Sequence, residues 1–117
     1  PMLRTFIRLW SPFVTPANPR LFYDMTMNNA QGFTVDSFFS SINSLRLTDL
    51  SRQIHTITIP AMGIYGAKDV IVSPHQIDVF RHSLPQGRDV WIPRAGHFPM
   101  WDTPEEFNRA FRDFMSL

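Results

Sequence analysis

The chain has 117 residues, of which 44% are hydrophobic and 18% are charged, and its formal net charge is +1. This composition is typical of one globular domain with an apolar core and excludes a disordered chain. Because the basic residues form no runs, we expect neither a nucleic-acid partner nor binding to an anionic membrane. The absence of Cys excludes disulfides, thiolate nucleophiles and Cys-based metal sites. With no signal peptide or long apolar span in the sequence, we expect a cytoplasmic protein.

Short helices separated by breakers are predicted for the first half of the chain. The first helix begins at Pro1 and ends near Pro12, and the second covers residues 20–29. Thr34 then caps a third helix. Apolar residues recur at helical spacing in the first and third of these helices: Leu3, Phe6, Ile7 and Trp10 in one, and Val35, Phe38, Phe39, Ile42 and Leu45 in the other.

Strands and helices alternate in the second half. Residues 61–66 and 89–93 are predicted strands, and the helix between them, residues 73–83, begins with a capping box. The last helix has Thr103 as its N-cap and Glu106 three residues later, which is a second capping box. Its predicted inner face consists of Phe107, Ala110, Phe111 and Phe114. This order is a βαβα unit, whose two strands should be parallel.

Two ionisable side chains follow the two predicted strands. Asp69 lies just past the first strand, and His97 lies just past the second, after Gly96. Taken singly, Asp69 is most simply a turn residue and His97 a structural or exposed histidine. Their joint position favours chemistry, because functional groups gather beyond the carboxyl ends of parallel strands. An aspartate that holds one imidazole nitrogen leaves the other free as a general base.

The segments IPAMGIYGAKDVIVSP and IPRAGHFPMWDTPEEFNRAFRDF, with the spacing between Asp69 and His97, resemble the C-terminal part of α/β-hydrolase fold enzymes. The resemblance covers residues 57–117. It implies that these residues form the C-terminal βαβα part of the hydrolase core and that residues 1–56 form a helical cap, or lid. It also implies that Asp69 is the acid and His97 the base of a nucleophile-His-acid triad that uses no metal or organic cofactor.

The same resemblance places a substrate pocket beside His97. Gly96 would provide the tight turn that presents the histidine, while Phe98, Pro99 and Met100 would lie beside the pocket. We take Phe38, Phe98 and Met100 as candidate substrate-binding residues. Cap side chains that could line an apolar pocket are Phe6, Trp10, Phe13, Phe22, Met25, Phe33, Phe38 and Phe39. Packing between the cap and the core is the simpler explanation for any one of them.

The nucleophile of the family is absent from this sequence. It is usually Ser, sometimes Asp or Cys, and it lies on a G-x-S-x-G elbow upstream of the cap. No such elbow and no HGGG-like oxyanion segment occurs in the 117 residues, and Ser40, Ser41 and Ser73 have no flanking glycines of that pattern. We therefore expect the chain alone to be catalytically silent.

The sequence thus predicts the C-terminal fragment of a hydrolase of esters or similar small, mostly apolar substrates. Hydrolysis of C–C bonds, epoxides or haloalkanes, perhydrolysis and acyl transfer stay open, since one fold hosts them all. The alternative is a non-catalytic interaction module that keeps the hydrolase-like fold. In either case we expect a homo-oligomer, joined through the exposed edge of strand 61–66 or through the cap helices. A metal site at His75 and His82 is not expected, because the two lie two helical turns apart.

Overall fold

The structure, a computed structural model, describes residues 2–32 and 34–116. Pro1, the predicted start of the first helix, and Phe33, a predicted pocket residue, lie outside the described residues, as does Leu117. The elements in chain order are helices α1 (Met2–Val14), α2 (Pro19–Asn29) and α3 (Val35–Leu47), strand β1 (Met62–Gly66), helix α4 (Pro74–Ser83), strand β2 (Arg88–Ile92), and helices α5 (Pro99–Asp102) and α6 (Pro104–Met115). Two short 3₁₀ helices, Ala30–Gly32 and Ile54–Thr56, complete the order.

The sheet confirms the predicted βαβα unit. Strands β1 and β2 are parallel, in a register that pairs Met62 with Arg88 and Gly66 with Ile92. Helix α4 makes the crossover between them, and Ser73 caps its start by accepting a hydrogen bond from the backbone N–H of His75 at 3.3 Å. The strands begin one residue away from the predicted positions. The carboxyl ends of both strands therefore lie side by side.

Helix α1 continues past Pro12, so the prediction that it ends near this residue was wrong. Pro12 lacks a backbone N–H, yet the last turn is held by a bond from the N–H of Thr15 to the carbonyl of Ser11 at 2.9 Å. Val14, in that same turn, is buried in the core. Tertiary burial thus outweighs the loss of one helical hydrogen bond.

The core is small and lies around the sheet and the end of α1. Its buried apolar side chains are Ile7, Val14, Ile77, Leu84, Ile92 and Ala95. Of the predicted apolar face of the first helix, Ile7 is buried, whereas Leu3, Phe6 and Trp10 are exposed. The third helix forms with its predicted Thr34 cap. Its apolar residues Phe38, Phe39, Ile42 and Leu45 are all exposed to solvent.

The last helix starts at the predicted residues, but its predicted capping box does not form. Thr103 is the N-cap residue of α6, but its side chain makes no capping bond, and its hydroxyl donates to the carbonyl of Pro99 at 3.4 Å. Glu106 pairs instead with Arg94 at 3.5 Å. Directly before α6 lies α5, a short helix that was not predicted and that ends at Asp102. Phe111, predicted on the inner face of the last helix, is exposed.

None of the helices in the described part of the chain is long and apolar enough to cross a membrane.

Candidate active site

The carboxylate of Asp69 is fixed by its own turn. The turn follows β1 and is closed by a bond from the N–H of Asp69 to the carbonyl of Gly66 at 3.2 Å. The Oδ1 atom of Asp69 accepts hydrogen bonds from the N–H groups of Ile71 at 2.7 Å and Val72 at 3.0 Å. This is the local pattern by which aspartate stabilises turns. Because Oδ1 is occupied in this way, Oδ2 is free to accept from another element.

That other element is the turn that carries His97. It follows β2 and is closed by a bond from the N–H of Ala95 to the carbonyl of Ile92 at 3.2 Å. The two strand-end turns are also joined, since the N–H of Lys68 donates to the carbonyl of Ala95 at 2.9 Å. Parallel pairing of the strands thus brings both turns to one edge of the sheet, where the sequence predicted them.

Asp69 and His97 form a hydrogen-bonded pair. The Nδ1 atom of His97 lies 2.9 Å from Oδ2 of Asp69, with side chains that are 25% and 16% exposed, respectively. Burial is the largest influence on the pKa of Asp69 and raises it. Hydrogen bonds from Val72, His97 and Ile71 act in the opposite direction, and the net effect lowers the pKa of Asp69 below its usual value. The carboxylate is therefore ionised at neutral pH.

The second ring nitrogen of His97, Nε2, is available to accept a proton. No hydrogen bond between described residues engages Nε2. With Nδ1–H directed at an ionised carboxylate, Nε2 carries the lone pair that a general base needs. The pair can thus accept a proton at Nε2 and stabilise the imidazolium that forms.

Aromatic rings lie beside His97. The ring of Phe98 meets the imidazole edge-on at a centroid distance of 4.6 Å. Trp101 stacks on Phe98 at 4.8 Å, and Phe22 of helix α2 stacks on it at 5.6 Å. These three rings, which we call the aromatic wall (Phe22, Phe98 and Trp101), therefore border His97. They also connect helix α2 to the segment that follows β2.

The three candidate substrate-binding residues lie in different places. Phe98 is next to the base, and Met100 lies two residues further along α5 with 43% of its surface exposed. Phe38 is 49% exposed on α3, where its ring contacts that of Phe39. No hydrogen bond or ring contact between described residues joins Phe38 to His97. The structure thus brings Phe98 to the pair and leaves Phe38 apart from it.

No hydroxyl group of the described residues serves as the partner of Nε2. Ser11 is buried and donates to the carbonyl of Ile7 at 2.6 Å, while Ser73 is occupied as a helix cap. Ser41 lies on the exposed helix α3 and donates to the carbonyl of Ser37 at 2.9 Å. Within residues 2–32 and 34–116, no group of three His, Asp or Glu side chains could hold a metal ion.

Asp102 is a residue of the site that the sequence analysis missed. It is only 4% exposed, and its carboxylate accepts three backbone N–H bonds, from Ala17 at 2.7 Å, Asn18 at 2.6 Å and Gly96 at 2.7 Å. The sequence carries one signal for it, an acidic residue directly before the Thr103-Pro104 helix start.

Gly96 allows close packing and does not need a special turn conformation. No described glycine has a positive φ, so the turn before His97 has a backbone conformation that other residues also adopt. The expected tight-turn role therefore does not explain why residue 96 is a glycine. A Cβ atom at this position would overlap the carbonyl oxygen of Val14 and the Cδ atom of Pro16. The turn before His97 can therefore touch the end of α1 only with glycine at position 96.

A surface groove lies away from the pair. It has a volume of about 760 Å³ and lies between β2 and α6, lined in part by Trp91, Arg109 and Phe114. Neither Asp69 nor His97 lines it. We assign the site to the pair, because Asp69 and His97 have the hydrogen-bond geometry that proton transfer requires.

Known proteins are similar to this chain in sequence and in structure. A comparison with protein-family models found no match. Pimeloyl-[acyl-carrier protein] methyl ester esterases are 31% identical over 72 residues in Nitrosomonas europaea and 35% identical over 75 residues in Edwardsiella ictaluri. These matches cover 62% and 64% of this chain and 29% of each esterase. Lipase 3 of a Moraxella species is 23% identical over an alignment of 112 residues, which covers 92% of this chain and 35% of the lipase.

A solved structure agrees with these relatives. The crystal structure of a bromoperoxidase from Bacillus anthracis superposes with a TM-score of 0.79 at 20% identity, over 98% of this chain and 44% of that one. The chain spans less than a third of the length of the two esterases it matches. The chain therefore has the fold of the C-terminal part of an α/β-hydrolase and is related in sequence to esterases and lipases of that fold.

Proposed function

We propose that this chain supplies the acid and the base of an α/β-hydrolase that cleaves esters or similar small, mostly apolar substrates. In this proposal Asp69 is the acid, His97 is the base, and residues 1–56 are the cap over the core part, residues 57–117. The observation that carries the proposal is the 2.9 Å contact between Nδ1 of His97 and Oδ2 of Asp69. The relationship to esterases and lipases supports the ester class.

The nucleophile and the oxyanion donors are proposed to come from polypeptide outside this sequence. As the nucleophile's oxygen attacks the acyl carbon, Nε2 of His97 takes the hydroxyl proton, and Asp69 stabilises the imidazolium without becoming protonated. The imidazolium then gives that proton to the leaving alcohol oxygen as the acyl–oxygen bond breaks. Water then attacks the acyl intermediate, and His97 takes its proton and passes it to the departing oxygen of the nucleophile. This step releases the carboxylic acid and restores His97 as the base.

The aromatic wall supports an apolar substrate. Phe98 touches the imidazole, and Trp101 and Phe22 extend the same apolar surface away from it. An acyl or alkyl chain attached to the reacting carbon would lie against these rings, since apolar surface is buried more favourably than it is hydrated.

A chimera tests the proposal. The segment of the Edwardsiella ictaluri esterase that matches this chain is replaced by the corresponding residues of this chain, and hydrolysis of short nitrophenyl esters is measured. We expect a folded, active chimera whose kcat/KM falls by about 10³-fold or more on His97→Ala. His82→Ala is the matched control, because His82 is exposed on α4 and its ring nitrogen Nδ1 lies 2.7 Å from the carbonyl of Asp78 in the same helix. A folded, active chimera that keeps its rate after His97→Ala would refute the assignment.

One observation favours the alternative of a non-catalytic interaction module. The apolar side chains of α3, Phe38, Phe39, Ile42 and Leu45, are exposed together on one helix, as expected for a contact surface. The same chimera separates the two proposals. A module that retains the pair only for structure would fold in the chimera and leave it inactive.

A further inference from the structure

The buried carboxylate of Asp102 joins two segments that are far apart in sequence. Its Oδ1 atom accepts from the N–H groups of Ala17 and Asn18, which lie at the turn between α1 and α2. Its Oδ2 atom accepts from the N–H of Gly96, the residue directly before His97. One side chain therefore holds the α1–α2 turn on one side and the histidine turn on the other.

Two further hydrogen bonds connect the region of the α1–α2 turn to the segment around His97. The N–H of His97 donates to the carbonyl of Val14 at 2.8 Å, so the backbone of the histidine itself is bonded to the end of α1. The side-chain amide of Asn18 donates to the carbonyl of Trp101 at 3.4 Å. Gly96 also packs so closely against Val14 and Pro16 that a Cβ atom at position 96 would overlap both.

Only a carboxylate satisfies this arrangement. The three N–H groups approach from two sides, so both oxygens must be acceptors, and an ionised Asp has two. An Asn of the same shape has one acceptor oxygen and one N–H₂ donor, which would face an N–H of either Gly96 or the α1–α2 turn. A buried charge with three short hydrogen bonds is well compensated, whereas the loss of either side is costly.

We propose that Asp102 is a positioning residue for His97. Its carboxylate fixes the position and orientation of the turn that carries His97, and so maintains the contact between Nδ1 of His97 and Oδ2 of Asp69. It also couples α1 and α2 to the base, so that a movement of these helices moves the imidazole relative to Asp69. The description of His97 as a base rests on the proposed function, but the geometric link does not.

The test uses the isolated full chain and does not measure catalysis. Asp102→Asn is compared with Asp24→Asn, which removes an exposed α2 carboxylate that pairs with Arg20 at 3.8 Å. By carbon NMR titration, we expect the pKa of Asp69 to rise toward its usual range in Asp102→Asn, because His97 no longer holds its hydrogen bond. By amide hydrogen exchange, we expect Gly96 to exchange about tenfold faster. In Asp24→Asn both quantities stay as in the parent chain.

The outcomes distinguish positioning from general support of the fold. A folded Asp102→Asn chain with an unchanged Asp69 pKa overturns the proposal, even if its stability has fallen. Asp102→Glu keeps both acceptor oxygens and is expected to shift the Asp69 pKa less than Asn does. If neither variant folds, Asp102 is required for folding and is not a positioning residue. Failure of the esterase chimera would leave these readouts intact, so the two proposals fail separately.

Discussion

His97 and Asp69 are 28 positions apart, yet Nδ1 of the histidine lies 2.9 Å from Oδ2 of the aspartate. The parallel register explains the contact, since Gly66 and Ile92 are paired at the ends of the two strands, and both turns leave the sheet from there. The pair is held from both sides. Ile71 and Val72 fix the carboxylate, while Asp102 and Val14 fix the backbone around the histidine.

The first prediction concerns activity of the chain alone. On short-chain nitrophenyl esters, the purified 117 residues should give no rate above a heat-treated control. The physical reason is that the pair supplies a base without a nucleophile or an oxyanion hole, and these groups act as a unit. A substantial rate that disappears on His97→Ala would contradict this, because it would mean that a residue of this chain or of a second copy completes the site.

The second prediction concerns stability against pH. Because the pKa of Asp69 is lower in the folded chain, the unfolded chain binds more protons at acidic pH, and stability rises with pH. The contribution of Asp69 is fully present above the unfolded carboxyl pKa of about 3.9 and is lost as the pH falls through the lower folded value.

Urea unfolding between neutral pH and about pH 3 measures this effect. Asp69→Asn should lose stability at neutral pH and show a flatter acid branch than the parent chain. Asp24→Asn is the control, since its carboxylate is exposed on α2. Parallel acid branches for the parent and Asp69→Asn would contradict a lowered pKa of Asp69 in the folded chain.

The third prediction concerns the glycine before the base. Gly96→Ala should reduce the free energy of unfolding by about 1–3 kcal/mol, because the new Cβ would overlap backbone atoms of Val14 that cannot rotate away. Gly32→Ala is the matched control, as a Cβ there has no atom within 4 Å, and we expect a change within about 0.5 kcal/mol. Equal effects of the two substitutions in denaturant unfolding would rule out the close packing of Gly96 on α1.

The fourth prediction is self-association. The sheet has two strands, so β1 and β2 each leave one edge unpaired, and helices α1 and α3 expose apolar side chains. Such surfaces favour pairing with another chain. We expect a homodimer or larger oligomer by light scattering at micromolar concentration. The contact would form through the β1 edge, through the apolar helix faces or by exchange of helices between chains.

A pair of substitutions locates the contact. Phe39→Ser with Leu45→Ser makes the exposed face of α3 polar and should lower the mass if that helix forms the interface. The same pair leaves the mass unchanged if the β1 edge is responsible. A monomer that melts cooperatively in the parent chain would contradict self-association altogether.

Much of the fold follows from local pattern. Alternation of apolar runs with turn residues is sufficient to locate β1, α4 and β2 to within a residue, because a strand end and a helix cap depend on neighbours in sequence. The C-terminal end of α1 and the capping bond of Thr103 were predicted wrongly, because each depends on structure that the local pattern does not show. Burial of Val14 outweighs the effect of Pro12, and the hydroxyl of Thr103 donates to the carbonyl of Pro99 instead of capping α6.

The sequence by itself determined that an acid and an imidazole follow two parallel strands, since chain order and right-handed crossovers dictate where such strands end. The contact between the two side chains follows from the parallel topology, so it could be predicted for the same reason. Asp102 was decided only by the tertiary structure. Its partners Ala17 and Asn18 lie 85 and 84 positions away, and no local pattern encodes which distant N–H groups a buried carboxylate will meet.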